Sequence, residues 1–255
     1  MFFDSHCHVD DERYNQDRNS LIEGLPENEI DYIMEIGADM GSSERAMMLA
    51  EQYPFVYAAV GVHPSDTKNM TEEDILKLAQ MAKHPKVKAI GEIGLDYHYP
   101  DTHKPSQKKW FHRQMELAMD LGMPFIIHDR ESHADCIEIL KKFDIKKTGG
   151  VMHCFSGSVE MAKEVIKMGM VISLGGPVTF KNARHSVEVA KEIPLDKILI
   201  ETDSPYLTPE PLRGERNSPE YVRFVAEKIA EIKNEPLSVV AEVTKSNAMR
   251  LFNIV

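Results

Sequence analysis

Histidines and carboxylates recur in this chain at the ends of short apolar runs, which points to metal chemistry. The first case is Asp4-Ser5-His6-Cys7-His8-Val9, directly after the apolar start Met1-Phe2-Phe3. In a strand, successive side chains alternate between faces, so His6 and His8 share one face and Cys7 takes the other. Two imidazoles on one face form half of a metal site, although for an isolated pair packing or solvation is the default reading. The pattern then repeats: His63 follows Gly61-Val62, Glu92 and Asp96 lie in Gly91-Glu-Ile-Gly-Leu-Asp96, and His128 follows Ile126-Ile127. His153 comes next after Met152, and Glu201-Thr202-Asp203 closes the series. Imidazole and carboxylate groups are costly to desolvate unless paired or metal-bound. Ligation is therefore expected for His6, His8, Glu92, His128, His153 and Asp203.

Such a set fits two divalent cations. Imidazole nitrogen suits Zn, Mn or Fe, and a carboxylate can bridge two ions. His6, His8 and Asp203 are expected on one ion, His128 and His153 on the other, with Glu92 bridging. Two such ions, roughly 3.5–4 Å apart, acidify a shared water and clamp the attacking and leaving oxygens. The reaction class is metal-assisted hydrolysis. Strand alternation leaves Cys7 and Cys154 outside the cluster. His63 reads as a substrate-contacting or supporting donor, or as a packed ring. Arg130, and Arg213 with Arg216, read as bidentate phosphate holders or as solvated surface arginines. Asp96 either supports a ligand or caps its turn. The Tyr97–His103 loop is suited to stacking on bases, or is a polar solvent loop. The methionines at 47, 48, 115, 119, 161 and 168 read as core filler.

The elements that must position these residues are eight apolar, β-branched runs. They are read at 1–7, 31–37, 55–62, 87–94, 123–128, 149–154, 169–174 and 197–203, with starts 20 to 36 residues apart. Helical patterns separate them. In Pro105–Leu121, Phe111, Met115 and Ala118 share a face, and Gly122 is the expected C-cap. Asn217-Ser218-Pro219 reads as a capped helix start, and 236–252 as a final helix. Alternating strands and helices imply a parallel sheet with right-handed crossovers. Eight units in 255 residues predict one α/β domain over 1–255, a (β/α)8 TIM barrel with its site at the C-terminal strand ends. An open doubly wound sheet is disfavoured because no GxGxxG follows the first strand.

Composition narrows the function. The formal net charge of −11 excludes a wide basic surface for duplex nucleic acid, while leaving room for a local phosphate site. Three cysteines at 7, 136 and 154 make no CxxC pair, as expected for a reducing interior. A signal peptide and a membrane-spanning run of about 18 apolar residues are not seen. A cytoplasmic protein with no membrane partner is expected.

Taken together, the chain resembles the TatD family of metal-dependent hydrolases. The matching residues are Asp4-Ser-His-Cys-His8, Gly61-Val-His-Pro64, Gly91-Glu-Ile-Gly-Leu-Asp-Tyr97, His128-Asp-Arg130, His153-Cys-Phe-Ser-Gly157, Gly175-Gly-Pro-Val-Thr-Phe180 and Glu201-Thr-Asp-Ser-Pro-Tyr-Leu207. The resemblance implies an amidohydrolase-like TIM barrel and a deoxyribonuclease using two divalent cations (Zn, Mg or Mn). It also implies DNA substrates, as short or single-stranded ends cut 3′ to 5′, and it supports the same ligands. Many dinuclear amidohydrolases bridge their metals with a carboxylated lysine at the end of strand 4. Glu92 takes that place here, with Lys86 and Lys88 at the wrong end of the strand. Asp203 and Glu92 are the expected catalytic residues. Asp203 also takes the proton from the attacking water, and Glu201 supports the ligand shell. Hydrolysis of small esters, amides or phosphoesters is the alternative activity, and a non-catalytic metal scaffold is disfavoured by the complete ligand set. The sequence is silent on oligomeric state.

Overall fold

The computed structural model describes residues 1–254. Its strands are β1 (Phe2–Cys7), β2 (Ile30–Ile36), β3 (Val56–Val60), β4 (Val87–Asp96), β5 (Phe125–Arg130), β6 (Gly150–Met152), β7 (Val171–Leu174) and β8 (Ile198–Ile200). They form one eight-stranded sheet in the order β1 to β8. Cys7 pairs in parallel with Ser204, just past β8, so the first and last strands adjoin. This is the (β/α)8 TIM-barrel fold, as the sequence pattern predicts. No helix among the described residues is long and apolar enough to cross a membrane.

The chain packs as two compact units. The first contains Met1–Glu35, Cys154–Glu164 and the described residues from Ile172 on; the second contains Ile36–His153 and Val165–Val171. In the first, β7 and β8 pair with Ile172 opposite Ile198 and Leu174 opposite Ile200, and every β1 side chain is buried. In the second, β4 and β5 pair from Ile90–Phe125 to Asp96–Arg130.

Helices follow the expected pattern with two informative differences. They are α1 (Arg18–Gly24), α2 (Met40–Gln52), α3 (Glu72–Met81), α4 (Lys104–Leu121), α5 (His133–Leu140), α6 (Val159–Lys167), α7 (Arg184–Glu192), α8 (Val222–Lys233) and α9 (Leu237–Leu251). α4 buries Phe111, Met115 and Ala118 and stops at Gly122, which sits at φ +64, where glycine has no Cβ penalty. The expected cap at Asn217-Ser218 is not made. A short 3-10 turn, Pro219–Tyr221, precedes α8, and Ser218 makes no side-chain cap bond. Asn217 instead donates from Nδ2 to the carbonyls of Thr202 (2.8 Å) and Tyr206 (2.5 Å).

The second difference is that strands 6 and 8 are shorter than read. β6 stops at Met152 and β8 at Ile200, because Cys154 (φ +42) and Asp203 (φ +55) leave extended backbone for the left-handed region. Period-two alternation therefore does not govern Cys154, Glu201 or Asp203, which lie beyond their strands.

Gly94 is the backbone position on which the second unit's strand ends depend. It lies opposite His128 at φ +144, and a Cβ there would come within 2.0 Å of the His128 carbonyl oxygen. That region of φ is essentially closed to other residues. Gly94→Ala is expected to destabilise the fold by about 3 kcal/mol or more, read as a fall in the urea midpoint at unchanged m-value. A midpoint equal to wild type would show that the backbone relaxes freely here.

Candidate metal centre

In the first unit, β1 delivers His6 at its end and His8 just past it, and the segment after β8 delivers Asp203. His6 Nε2 and His8 Nε2 stand 3.3 Å apart. Asp203 Oδ1 lies 3.7 Å from the first and 3.5 Å from the second. Ligands bound to one tetrahedral ion at 2.0–2.1 Å are separated by about 3.3 Å, so this triangle has the edges that one cation needs. The backbone holds it together: Asp203 N–H donates to His6 O (2.9 Å) and His8 N–H to Ser204 O (2.8 Å). Cys7 faces away, its thiol directed at Met34 O (3.4 Å) and the Glu35 carboxylate (3.8 Å), as alternation requires.

In the second unit, the ends of β3, β4, β5 and β6 bring His63, Glu92, His128 and His153 together. Glu92 Oε1 lies 2.7 Å from both His128 Nδ1 and His153 Nε2, which are themselves 3.2 Å apart. On the other edge of its ring, His128 Nε2 stands 3.1 Å from Asp96 Oδ2. A carboxylate only accepts, so Nε2 carries a proton and, in the neutral ring, Nδ1 presents its lone pair. That lone pair then converges with a carboxylate oxygen and a second imidazole nitrogen. Such a cluster could hold a cation, and carboxylate–histidine–metal relays have this form. In the doubly protonated ring, both nitrogens would donate to carboxylates, and although burial opposes the charge, these bonds to Asp96 and Glu92 hold the His128 pKa above the usual value.

His63 lies closer to this group than a substrate or packing role requires. Its Nε2 is 3.8 Å from Glu92 Oε1, its ring meets His128 edge-on at 4.3 Å between centroids, and its ligand atom groups with those of Glu92 and His128. Ser65 N–H donates to its Nδ1 at 3.2 Å, which leaves Nε2 to face the cluster. Burial first, then the neighbouring His128, push its pKa down to about 3, so the ring is neutral at physiological pH.

The remaining expected residues divide. Asp96 fills both roles open to it, taking His128 on Oδ2 and capping its turn by accepting His98 N–H on Oδ1 (2.9 Å). Buried Glu201 accepts the Cys154 N–H at 2.6 Å, and so braces the turn that follows His153. The Arg213 guanidinium lies 3.8 Å over the Phe180 ring and Arg130 5.7 Å from the Tyr99 centroid. Arg216 cannot serve phosphate as read, because its guanidinium is committed to Asp17 (2.8 and 2.5 Å) and to Arg13 O. Tyr99, 54% exposed, borders a recess of about 360 Å³ with Ser65, Lys68, Asp96, His103 and Gln107.

Several further residues support these strand ends. Fully buried Asp4 accepts from Thr202 N (2.9 Å) and Thr202 Oγ1 (2.5 Å), and burial pushes its carboxyl well above the usual range. Glu35 accepts Val9 N (2.8 Å) and Asp10 N (2.9 Å), fixing the turn that carries His8. In α4, Gln114 pairs with Val62 N (2.8 Å) and O (3.0 Å), and Gln107 takes Asp96 N (2.9 Å). The signal was available: an acid inside the apolar run Ile33-Met-Glu-Ile36, and two glutamines inside the apolar stripe of a helix. Buried polar groups of this kind are almost always bonded.

The chain is similar to known proteins over nearly its whole length. A family model described as TatD related DNase matches residues 3–253. The uncharacterized metal-dependent hydrolase YabD of Bacillus subtilis (strain 168) is 48% identical over 254 residues, covering 100% of both chains. Among solved structures, YjjV, a TatD homologue from Escherichia coli K12, superposes with a TM-score of 0.94 at 31% identity, over 100% of this chain and 98% of that one. The phosphotriesterase homology protein of Escherichia coli, at 13% identity and TM-score 0.67 over 98% of each chain, shares the fold alone.

Asp96 offers a test of the donor geometry. Asp96→Asn keeps the shape but no longer requires a proton on His128 Nε2, so His128 Nδ1 is no longer held as the lone-pair edge. Divalent-metal affinity is expected to fall about 10- to 100-fold, measured by competition with a chromophoric chelator. Unchanged affinity would remove Asp96 from the candidate metal centre.

Proposed function

Because this chain belongs to the TatD family of metal-dependent hydrolases, we propose that it is a deoxyribonuclease that hydrolyses phosphodiester bonds at short or single-stranded DNA ends, 3′ to 5′. The observation that carries this reading is the convergence of imidazole and carboxylate donors in two groups, His6–His8–Asp203 and Glu92–His128–His153 with His63 beside them. We assign one divalent cation to each group. The histidine-rich donors suit Zn or Mn better than Mg, which prefers oxygen. Such cations would polarise the phosphate and acidify a water.

The chain's own residues supply the rest. Asp203 holds the proton of the attacking water at a carboxylate oxygen, and Glu92, buried against two imidazoles, keeps the donors aligned. His63, neutral at physiological pH, together with Arg130 and Arg213, orients the phosphate. Glu201 keeps the turn after His153 in place. Tyr99 beside the recess is placed for stacking on a base. A net charge of −11 favours a strand end over a long duplex. The buried thiols of Cys7 and Cys136 suit a reducing cytoplasm.

A second reading is hydrolysis of small esters, amides or phosphoesters. The net charge and the recess of about 360 Å³ favour it, since small-molecule sites start near this size. The two are separated with a 5′-labelled single-stranded oligonucleotide incubated with Mn²⁺, Zn²⁺, Mg²⁺ or a chelator. Wild type is expected to produce a ladder shortening from the 3′ end, lost with chelator. Asp203→Ala and Glu92→Ala should each lower the rate by about 100-fold or more. Intact DNA under every metal, with metal-dependent turnover of a small phosphoester, would establish the second reading instead.

A further inference from the structure

We propose that Tyr206, backed by Arg13, is a stacking platform for a nucleobase of the substrate beside the His6–His8–Asp203 group, an inference that rests on the DNA reading above. Tyr206 follows Asp203 within one turn, and its N–H donates to the Asp203 carbonyl at 2.8 Å. Its ring meets His8 edge-on, with 6.2 Å between centroids and 81° between planes. The side chain is nonetheless 47% exposed.

A half-exposed tyrosine alone needs no explanation; the way this one is held does. The Arg13 guanidinium covers one face, 4.1 Å from the ring centroid. Arg13 in turn is gripped by Asp11, from Nε at 2.8 Å and Nη2 at 2.9 Å, and the Tyr206 hydroxyl reaches the same carboxylate at 3.4 Å. Asp11, Arg13 and Tyr206 thus form a closed cycle that sets the tilt of the ring. The backbone is pinned as well, because Asn217 Nδ2 donates to the Tyr206 carbonyl at 2.5 Å. Chiefly through its bonds to Arg13, the Asp11 carboxyl is held down to about 2, which keeps the cycle ionised at any working pH.

Ordering a surface side chain this fully costs rotamer entropy. That cost lowers binding free energy when it has been met before the ligand arrives. Arg13 has its charge matched by Asp11, so it backs the ring and is not a phosphate ligand. What the ring offers a ligand is a rigid π face, which accepts any of the bases. A nucleotide stacked there carries its phosphate one sugar away, toward His8 and Asp203. The site therefore selects for a base next to the scissile linkage and tolerates any sequence.

The test uses the protein as purified, with its metals, and a single-stranded oligonucleotide carrying 2-aminopurine at its 3′ end. Methylphosphonate linkages there resist hydrolysis, so binding is read without turnover, and the fluorescence of 2-aminopurine is quenched by stacking. Wild type and Tyr206→Phe should quench saturably with similar affinity. Tyr206→Leu, or Tyr206→Gln if the leucine variant fails to fold, should bind roughly 5- to 150-fold more weakly. With ordinary linkages, the same variants should raise KM on base-bearing ends and leave KM on abasic ends unchanged. Absence of quenching in wild type, or equal quenching in the non-aromatic variants, overturns the platform. Quenching that depends on Tyr206 in a protein that never cuts the unmodified strand would overturn the nuclease reading and leave the platform standing.

Discussion

Everything in the first unit depends on the seam between the end of β1 and the chain just past β8. Asp4 and Thr202 are 198 residues apart in sequence, yet the Asp4 carboxylate takes both the backbone N–H and the hydroxyl of Thr202. Two backbone hydrogen bonds follow, from Asp203 to His6 and from His8 to Ser204. Closing so long a loop costs entropy that grows only slowly with its length, and a buried carboxylate can meet that cost only if its acceptors are satisfied. The outcome is that His6, His8 and Asp203 share one small triangle with no direct bond between their side chains required to hold it. The seam is built by the scaffold.

The second unit reaches a comparable result by different means. Its donors come from adjacent strand ends, so proximity follows from sheet pairing, and what must be controlled is the orientation of each ring. Asp96 on one edge of His128 decides which nitrogen faces Glu92. Behind it, Gln107 and Gln114 of α4 hold the main chain at Asp96 and Val62, beside the residues that matter. A helix whose packed face is otherwise apolar thereby sets the pose of two strand ends. Glu35 performs the same service for the turn that carries His8. The clustered histidines here are placed by buried, neutral or acid side chains one layer further in.

Much of this was legible in the sequence. The eight-strand alternation survived as the TIM-barrel order, because parallel strands buried on both faces leave continuous apolar runs. Residues at strand ends stood out because imidazoles and carboxylates are rare at the close of such runs. Strands 6 and 8 were over-extended for a local reason: Cys154 and Asp203 adopt left-handed backbone, which neither residue type announces. Asn217 carried the signal of a helix cap, but its side chain is used to tie the β8 loop. Arg216, which the sequence leaves open between a phosphate holder and a surface arginine, is paired with Asp17, distant in sequence. His63 reads from the sequence as a substrate-contacting or supporting donor, and the fold sets its Nε2 3.8 Å from Glu92 Oε1, a distance that its chain position does not encode.

By itself, then, the sequence determined the class of fold and the family, and put forward the chemical type and chain positions of the candidate donors, because periodicity and residue type are local properties. Only the tertiary structure decided which donors meet, which nitrogen of each ring faces its partners, and which charged groups are already spent on ion pairs. Those properties depend on contacts between residues up to about 200 positions apart, whose partners no local pattern encodes.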